Sequence, residues 1–179
     1  MAVEIRVATM DDCPAIARII AESARVLGRP DYSDDEIEAA LKGPWGLDTR
    51  LVKDSTYFLV YVDGELAACG GWSYRTTLFG SDAEASRDAA RLDPAKDAAR
   101  IRAFFVRPGF ARQGIGTLLL QHCEAAAVAA GFRSLSLGST LPGQRLYAVH
   151  GFVAGEPIDY DLGDGLSMLV IPMTKQLDN

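Results

Sequence analysis

Two glycines separated by one residue, Gly114 and Gly116, lie where an apolar run gives way to a helix-forming run. The preceding run, Ile101–Val106, predicts a strand, and the following residues predict a helix that Gly131 ends. The first main-chain N–H groups of a helix have no partner within it, and the helix dipole places about half a positive charge there. Glycine has no Cβ, so an anion can approach these N–H groups closely. The residues therefore predict a strand, a loop and a helix arranged around an anion such as a phosphate.

The charges around the glycine loop support an anion site. Arg107 and Arg112 flank the turn, and no Asp or Glu occurs between Asp97 and Glu124, although the whole chain carries a net charge of −6. A basic island in an acidic chain favours local binding of an anion.

The spacing of the glycines argues against two common phosphate-binding motifs. A P-loop needs a lysine after its last glycine, and here Thr117 follows Gly116 directly. A dinucleotide fingerprint needs a third glycine where this chain has Leu119. Neither motif is therefore present.

The cysteines and histidines do not form an obvious metal or nucleophile site. Cys13, Cys69 and Cys123 are far apart in the sequence, and only His122 and His150 could help to ligate a metal. His122 and Cys123 are adjacent on one helix and point to different faces, which disfavours a Cys/His nucleophile. We expect buried, reduced thiols and no metal site.

The N-terminal half of the chain predicts a strand, two helices and a hairpin. Residues 3–7 alternate apolar and charged, and apolar residues then recur at helical spacing until Gly28. The run Ser33–Glu36 is a capping box that opens a second helix. Two apolar runs, 57–62 and 66–72, are joined by Asp-Gly, a strong hairpin signal.

The remaining elements follow from turns and alternation. Residues 73–100 form a long polar connection in which the alanine-rich portion from Ala83 to Ala90 predicts a helical turn. After the central helix come a strand at 133–137, a short helix, a strand from Phe152 and a last strand from Leu166 to Thr174, while 155–165 is interpreted as a loop. The order is βααβββαβαββ, a mixed α/β domain.

Length and composition limit the protein classes. A chain of 179 residues with 49% hydrophobic content predicts one domain, which we place at residues 3–176. The net charge of −6 argues against a nucleic-acid surface. No apolar run reaches the length of a signal peptide or of a membrane helix, so we expect a cytoplasmic protein without a membrane partner.

Two ordered motifs resemble those of the GNAT superfamily of N-acetyltransferases. The first motif has a strand that ends in Val106-Arg107-Pro108 and continues to Gly114-Ile115-Gly116, with Ala111 where Arg or Gln is usual. The second is Leu146-Tyr147 followed by Gly151-Phe152. The resemblance covers the chain from about residue 3 to residue 176. It implies a central mixed sheet of six to seven strands flanked by about four helices.

The resemblance also implies acetyl-CoA as cofactor, inserted between a splayed fourth and fifth strand. Its pantetheine arm would bond to exposed main chain at Phe104–Val106 and at 137–139, and its pyrophosphate would lie on the N–H groups from Arg112 to Thr117. The cofactor-binding residues implied are Phe104, Phe105, Val106, Arg112, Gln113, Gly114, Ile115, Gly116, Thr117, Ser139 and Thr140.

Catalysis by such an enzyme needs a polarised thioester carbonyl and a proton for the departing thiolate. The resemblance assigns the first task to a main-chain N–H near Val106 and the second to the hydroxyl of Tyr147. The usual Asn of the family is replaced by Thr140. No side chain identifies itself as a general base, and Tyr74, Asp97, Glu65 and a water chain stay open.

The activity that the resemblance implies is direct transfer of acetyl to a primary amine of a small molecule or peptide. The alternative is a non-catalytic acyl-CoA binding or sensing module. The acidic chain mildly favours a cationic acceptor, and a homodimer is also compatible with the sequence. Candidate residues for the acceptor side of the cleft are Trp45, Trp72, Tyr74, Arg75, Asp82 and Tyr160.

Overall fold

The computed structural model describes residues 1–84 and 90–178. It is a mixed α/β structure in which helices flank one large sheet, as predicted. In chain order the elements are β1 (Val3–Val7), α1 (Cys13–Leu27), α2 (Asp34–Lys42), α3 (Thr49–Lys53), β2 (Tyr57–Val62), β3 (Glu65–Ser73), β4 (Ala99–Val106), α4 (Ile115–Ala129), β5 (Ser134–Ser139), α5 (Gln144–Val149), β6 (Val153–Ala154), β7 (Ile158–Gly163) and β8 (Leu166–Gln176).

Two elements were not predicted from the sequence. The described residues contain eight strands rather than six or seven, because β7 occupies most of the segment 155–165 that was interpreted as a loop. Its aspartates point outward, and it forms because Tyr160 and its neighbours pair with β8 around Met168. The extra helix α3 has five residues, and its first turn is capped by the carboxylate of Asp48. The predicted helical turn at Ala83–Ala90 lies mostly outside the described residues.

Local turn and cap residues set the boundaries of several elements as predicted. Asp63 (φ 49°) and Gly64 (φ 84°) form the left-handed pair that a tight hairpin between β2 and β3 needs. At the start of α2 the main-chain N–H of Glu36 donates to Ser33 Oγ at 3.1 Å, and the Ser33 N–H donates to Glu36 Oε1 at 3.0 Å. The capping box therefore satisfies two N–H groups of that helix end.

The sheet has the order β1-β2-β3-β4-β5-β8-β6, with β7 paired to β8. All pairs are antiparallel except β4 with β5. That parallel pair is joined only where it begins, since Ala99 pairs with Leu135 and Arg100 with Ser136. Beyond these residues the two strands diverge, and the facing edge of each is left without a strand partner.

A bulge bends β4 at the place where it leaves β5. Cys69 of β3 lies opposite Phe105 of β4, whereas Gly71 lies opposite Arg102. Two residues of β4, Ala103 and Phe104, therefore lie opposite the single residue Gly70 of β3. Ala103 at the bulge has φ 53°, which is unfavourable for a residue with a Cβ. The hydroxyl of the buried Tyr57 donates a 2.7 Å hydrogen bond to the Ala103 carbonyl and holds this conformation.

Helices cover both faces of the sheet. On one face α4 buries Leu119, Leu120 and Cys123 in the largest core cluster. On the other face α1 buries Ile16 and Ile19 together with residues of β2, β3 and α3. The gap between β4 and β5 therefore opens between two helical layers. Each helix within residues 1–84 and 90–178 is too short or too polar to cross a membrane.

Candidate active site

The diverging strands enclose a cavity of about 470 Å³. Its walls include Ile101–Val106 of β4 and residues 137–140 at the end of β5, so main chain without a strand partner faces it from both sides. At one end it reaches the start of α4 and one side of α5. Its lining also includes residues of α1, of the loop before α3 and of the segment 78–80.

The start of α4 forms the floor at the first end. Within the described residues, no protein group accepts a hydrogen bond from the main-chain N–H of any residue from Arg112 to Thr117. Arg112 (φ 64°) and Gly114 (φ 82°) both take left-handed conformations, which curve the loop around these N–H groups. A Cβ on Gly116 would meet only the two flexible methyl groups of Leu146, at 3.2 and 3.8 Å. The loop thus presents unbonded donors to the cavity, as an anion requires.

Two arginines at this end are exposed and line the cavity, Arg112 and Arg145. Arg145 was not identified from the sequence, because an exposed arginine on a short helix has no distinctive pattern. Arg107, in contrast, is turned away: its guanidinium donates to Glu22 at 3.3 Å and to the Leu66 carbonyl at 3.1 Å. The positive charge beside the loop therefore comes from Arg112 and Arg145.

Ten of the eleven cofactor-binding residues predicted from the sequence line this cavity. The exception is Gln113, whose side chain is exposed and donates to the Gly109 carbonyl at 3.0 Å. Ser139 Oγ donates to the Thr140 carbonyl at 2.7 Å, and Thr140 Oγ1 accepts from the Gly143 N–H at 3.2 Å. Ser139 and Thr140 therefore shape the turn into α5.

Tyr147 is held by α5 against the cavity, and it is 8% exposed. Its ring packs against Phe104 and Phe152, with centroids 6.2 and 5.7 Å away. The hydroxyl has no hydrogen-bond partner among the described residues. Every fully buried polar side-chain atom in this part of the chain does have a partner, so the Tyr147 oxygen must be accessible from the cavity. Burial raises the pKa of Tyr147 well above its usual value, which keeps the phenol protonated. Tyr147 is therefore an available proton donor.

The residues left open as general bases lie elsewhere. Tyr74, Asp97 and Glu65 do not line the cavity. The Tyr74 ring contacts Trp72 and two arginines, Asp97 accepts from the Asp93 N–H at 2.7 Å, and Glu65 is exposed on the hairpin. The structure does not bring any of them near Tyr147.

Two of the three cysteines are core residues, as expected, whereas Cys13 is only partly buried at the start of α1. Cys69 and Cys123 are buried, and burial raises the pKa of both thiols, that of Cys69 to about 12. Neutral thiols are poor nucleophiles. Within the described parts of the chain, no group of three or more His, Cys, Asp or Glu side chains could hold a metal ion.

Of the six candidates for the acceptor side, only Trp45 lines the cavity. Trp72 and Tyr74 contact each other instead, and Arg75 pairs with Asp54 at 2.7 Å. The other two serve neighbouring loops: Asp82 accepts from the Thr49 N–H at 3.0 Å, and the Tyr160 hydroxyl bonds Glu84 at 2.5 Å.

Comparisons with known proteins bear on this site. The sequence model of the Acetyltransferase (GNAT) family matches residues 15–152, which is most of the chain and includes both motifs. The chain belongs to the GNAT acetyltransferase family. No curated protein sequence matches it. Family membership confirms acetyl-CoA as the expected cofactor, and the unbonded N–H groups and free strand edges of this GNAT chain fit it.

Solved structures share the fold of this GNAT acetyltransferase. A GCN5-related N-acetyltransferase from Rhodopseudomonas palustris matches with a TM-score of 0.73 and 20% identity over 99% of this chain and 97% of that one. PaiA N-acetyltransferase from Thermoplasma acidophilum, in complex with coenzyme A, matches with a TM-score of 0.66 and 15% identity over 98% of this chain and 99% of that one. The ribosomal-protein-S18-alanine N-acetyltransferase from Escherichia coli matches with a TM-score of 0.60 and 18% identity over 99% of this chain and 96% of that one.

Proposed function

We propose that this protein is an acetyl-CoA-dependent N-acetyltransferase that acts by direct transfer on a primary amine of a small molecule or peptide. One observation supports this most strongly. A single cavity between β4 and β5 joins the unbonded N–H groups of the α4 loop to the available hydroxyl of Tyr147. Two structural neighbours that are named N-acetyltransferases, one of them bound to coenzyme A, support the same assignment.

Main chain supplies most of the binding in this proposal. The N–H groups from Arg112 to Thr117 take the pyrophosphate, and Arg112 and Arg145 add charge at the mouth. The free edges of β4 and β5 bond the extended arm of the cofactor, as a neighbouring strand would. Because any residue other than proline supplies an N–H group, Ala111 is tolerated where the family carries Arg or Gln.

The chemistry requires one proton donor and one hydrogen-bond donor. Acetyl-CoA supplies an acetyl thioester, and transfer forms the amide C–N bond as the C–S bond breaks. A main-chain N–H near Val106 polarises the carbonyl, and the Tyr147 hydroxyl gives its proton to the departing sulfur. Tyr147 regains a proton from water, and the amine releases its own proton to water.

The second candidate is a non-catalytic acyl-CoA binding or sensing module. One observation favours it: none of the described residues that line the cavity is an Asp, Glu or His that could serve as general base. The cytoplasmic location, the single domain at 3–176 and a homodimer stay predictions.

The test is the Tyr147→Phe variant, assayed by thiol release from acetyl-CoA across a panel of primary amines. The ring and its packing stay while the donor is lost, so kcat and kcat/KM should fall together by about 10²- to 10⁴-fold. Melting temperature and CoA affinity should not change, because the hydroxyl has no hydrogen bond to lose among the described residues.

The matched control is Tyr61→Phe, which removes a hydroxyl outside the cavity that accepts from Arg6. It should keep the parental kcat. If Tyr147→Phe retained more than about half of the parental kcat, Tyr147 would not be the proton donor. A parent protein that binds CoA but releases no thiol with any amine would establish the binding module instead.

A further inference from the structure

The part of the cavity lining that comes from elements other than β4, β5, α4 and α5 is mainly apolar and includes aromatic and aliphatic side chains. We call it the acceptor pocket, lined by Leu27, Trp45, Leu78, Phe79, Met168 and Val170. These residues come from four separate parts of the chain: α1, the loop before α3, the segment before β4, and β8. Binding of a ligand with an apolar body to such a surface is favourable, because apolar surface of both is removed from water.

The walls of the acceptor pocket are held by contacts with the rest of the core. Trp45 makes an edge contact with Tyr32 (5.5 Å between centroids), and Phe79 makes one with Tyr160 (5.0 Å). A Cβ on Gly138 would lie 3.1 Å from Phe79 and 2.9 Å from Val170, so both side chains press against β5. Trp45, Phe79 and Val170 are therefore each packed against other residues of the fold.

The charges on the described lining of the cavity disfavour a second cation on the ligand. Among the described residues that line the whole cavity, the charged ones are all arginines: Arg102, Arg112 and Arg145. Two carboxylates lie near the acceptor side but outside the described lining: Asp48 pairs with Arg102 at 2.8 Å, and Glu84 accepts from the uncharged Tyr160 hydroxyl. A second cationic group entering here would lose its hydration against a mainly apolar wall, without direct contact with a carboxylate of the described lining.

This local charge differs from that of the whole chain. The net charge of −6 mildly favours a cationic acceptor when only the sequence is considered. The acidic residues, however, lie outside the cavity lining among the residues that the structure describes. The pocket therefore selects by apolar contact, and the whole-chain charge acts only at long range.

On these grounds, and resting on the proposed function, we infer that the acceptor is a monoamine with an uncharged aromatic or branched aliphatic body. Its amine nitrogen attacks the acetyl carbonyl carbon, a C–N bond forms, and the C–S bond breaks. The sulfur takes the Tyr147 proton, and the surplus amine proton passes to water, since no described lining residue is a carboxylate or imidazole. Polyamines and lysine-rich peptides are therefore expected to be poorer acceptors.

The experiment compares 2-phenylethylamine and 3-methylbutylamine with 1,4-diaminobutane and a lysine-containing peptide, by turnover and by binding. Thiol release gives kcat/KM, and calorimetric titration of each amine into CoA-saturated protein gives affinity without turnover. We expect kcat/KM and affinity to be at least about tenfold higher for 2-phenylethylamine and 3-methylbutylamine than for 1,4-diaminobutane and the peptide, which carry an additional charge, as burial of an apolar group predicts.

A carboxylate placed in the pocket should reverse this preference. Leu78→Asp puts a negative charge on a half-buried lining position, whereas Leu118→Asp makes the same change at an exposed position of α4 outside the cavity. Leu78→Asp should lower the affinity for 2-phenylethylamine by about tenfold or more and raise that for 1,4-diaminobutane. Leu118→Asp should leave the ratio unchanged. If Leu78→Asp does not fold, Leu78→Ala should reduce the apolar preference in its place.

The inference is overturned if the parent binds 1,4-diaminobutane or the peptide as tightly as the apolar amines. It is also overturned if a folded Leu78→Asp protein, with parental melting temperature and CoA affinity, keeps the parental ratio. Failure of the proposed function gives a different result, namely CoA binding without thiol release from any amine. The titrations decide the ligand preference in that case too.

Discussion

Removing one partner of the buried ion pair between Asp48 and Arg102 should lower the free energy of unfolding by a large amount. Both side chains are 3% exposed, and the Arg102 guanidinium lies 2.8 Å from Asp48 Oδ2. Arg102 also donates to the carbonyls of Thr77 (3.2 Å) and Gly80 (3.1 Å), next to the acceptor pocket. Asp48 in turn caps α3 by accepting from the Arg50 N–H at 3.1 Å.

The variant Asp48→Ala leaves a buried guanidinium without its carboxylate. Breaking a buried pair in this way costs about 3 to 5 kcal/mol, and the lost helix cap adds about 0.5 to 2 kcal/mol. For a chain of this size, 1 kcal/mol corresponds to about 2 to 4 °C in melting temperature, so the loss should be roughly 7 to 28 °C. Urea unfolding followed by circular dichroism gives the free energy directly.

The control is Glu38→Ala, which breaks an equally short pair with Arg25 on a half-exposed surface. It should leave the urea midpoint almost unchanged, because solvent screens such pairs. The double variant Asp48→Leu with Arg102→Met, which removes both charges, should recover much of the loss. A shift in Asp48→Ala no larger than that in Glu38→Ala, or a double variant as unstable as the single one, would refute the reasoning.

Three further changes test separate parts of the site and fold. Gly116→Asp places a carboxylate against the unbonded N–H groups, so it should abolish CoA binding in calorimetry while the protein stays folded. An affinity within a few-fold of the parent would contradict the assignment of these N–H groups to the pyrophosphate. Tyr57→Phe removes the donor to the Ala103 carbonyl and should lower the free energy of unfolding by about 1 to 3 kcal/mol, measured in urea. Arg75 lowers the pKa of Asp54 below its usual 3.8, so the stability from this pair is present above that pH and is lost as the pH falls from there through the lower pKa of the folded protein. Asp54→Asn should therefore be less stable than the parent at pH 7, and the difference should shrink below about pH 4; a constant difference would argue against the pair.

Features that depend on a few adjacent residues were predictable from the sequence. The glycine loop, the Asp-Gly hairpin and the Ser33–Glu36 capping box each need particular residue types at fixed spacing, and each forms as expected. The second motif also placed Tyr147 on a short helix beside the cavity. Local chemistry was therefore sufficient for the frame of the site.

Features that depend on tertiary pairing were not predictable in this way. The strand β7 carries Asp159 and Asp161, which disfavour strands in isolation, and it forms because β8 supplies a partner. Arg145 reaches the cavity because α5 lies beside the first turn of α4, where Leu146 is close to Gly116. Gln113 differs, because its side chain bonds the carbonyl of Gly109, only four residues away, while its main-chain N–H stays unbonded and the predicted cofactor contact stays a prediction. For β7 and Arg145, contacts with another element decide the outcome.

The bulge at Ala103 shows why the opening between β4 and β5 could be expected only by resemblance. An alanine gives no sequence signal for a positive φ, because its Cβ disfavours that region. The conformation is held by Tyr57, which is 46 residues away in sequence and donates to the Ala103 carbonyl. The same bend carries β4 away from β5 after Arg100, so that Phe104–Val106 face the cavity with a free edge. The strain at one alanine is thus part of what keeps the cofactor site open, and a buried tyrosine hydroxyl on β2 sustains it.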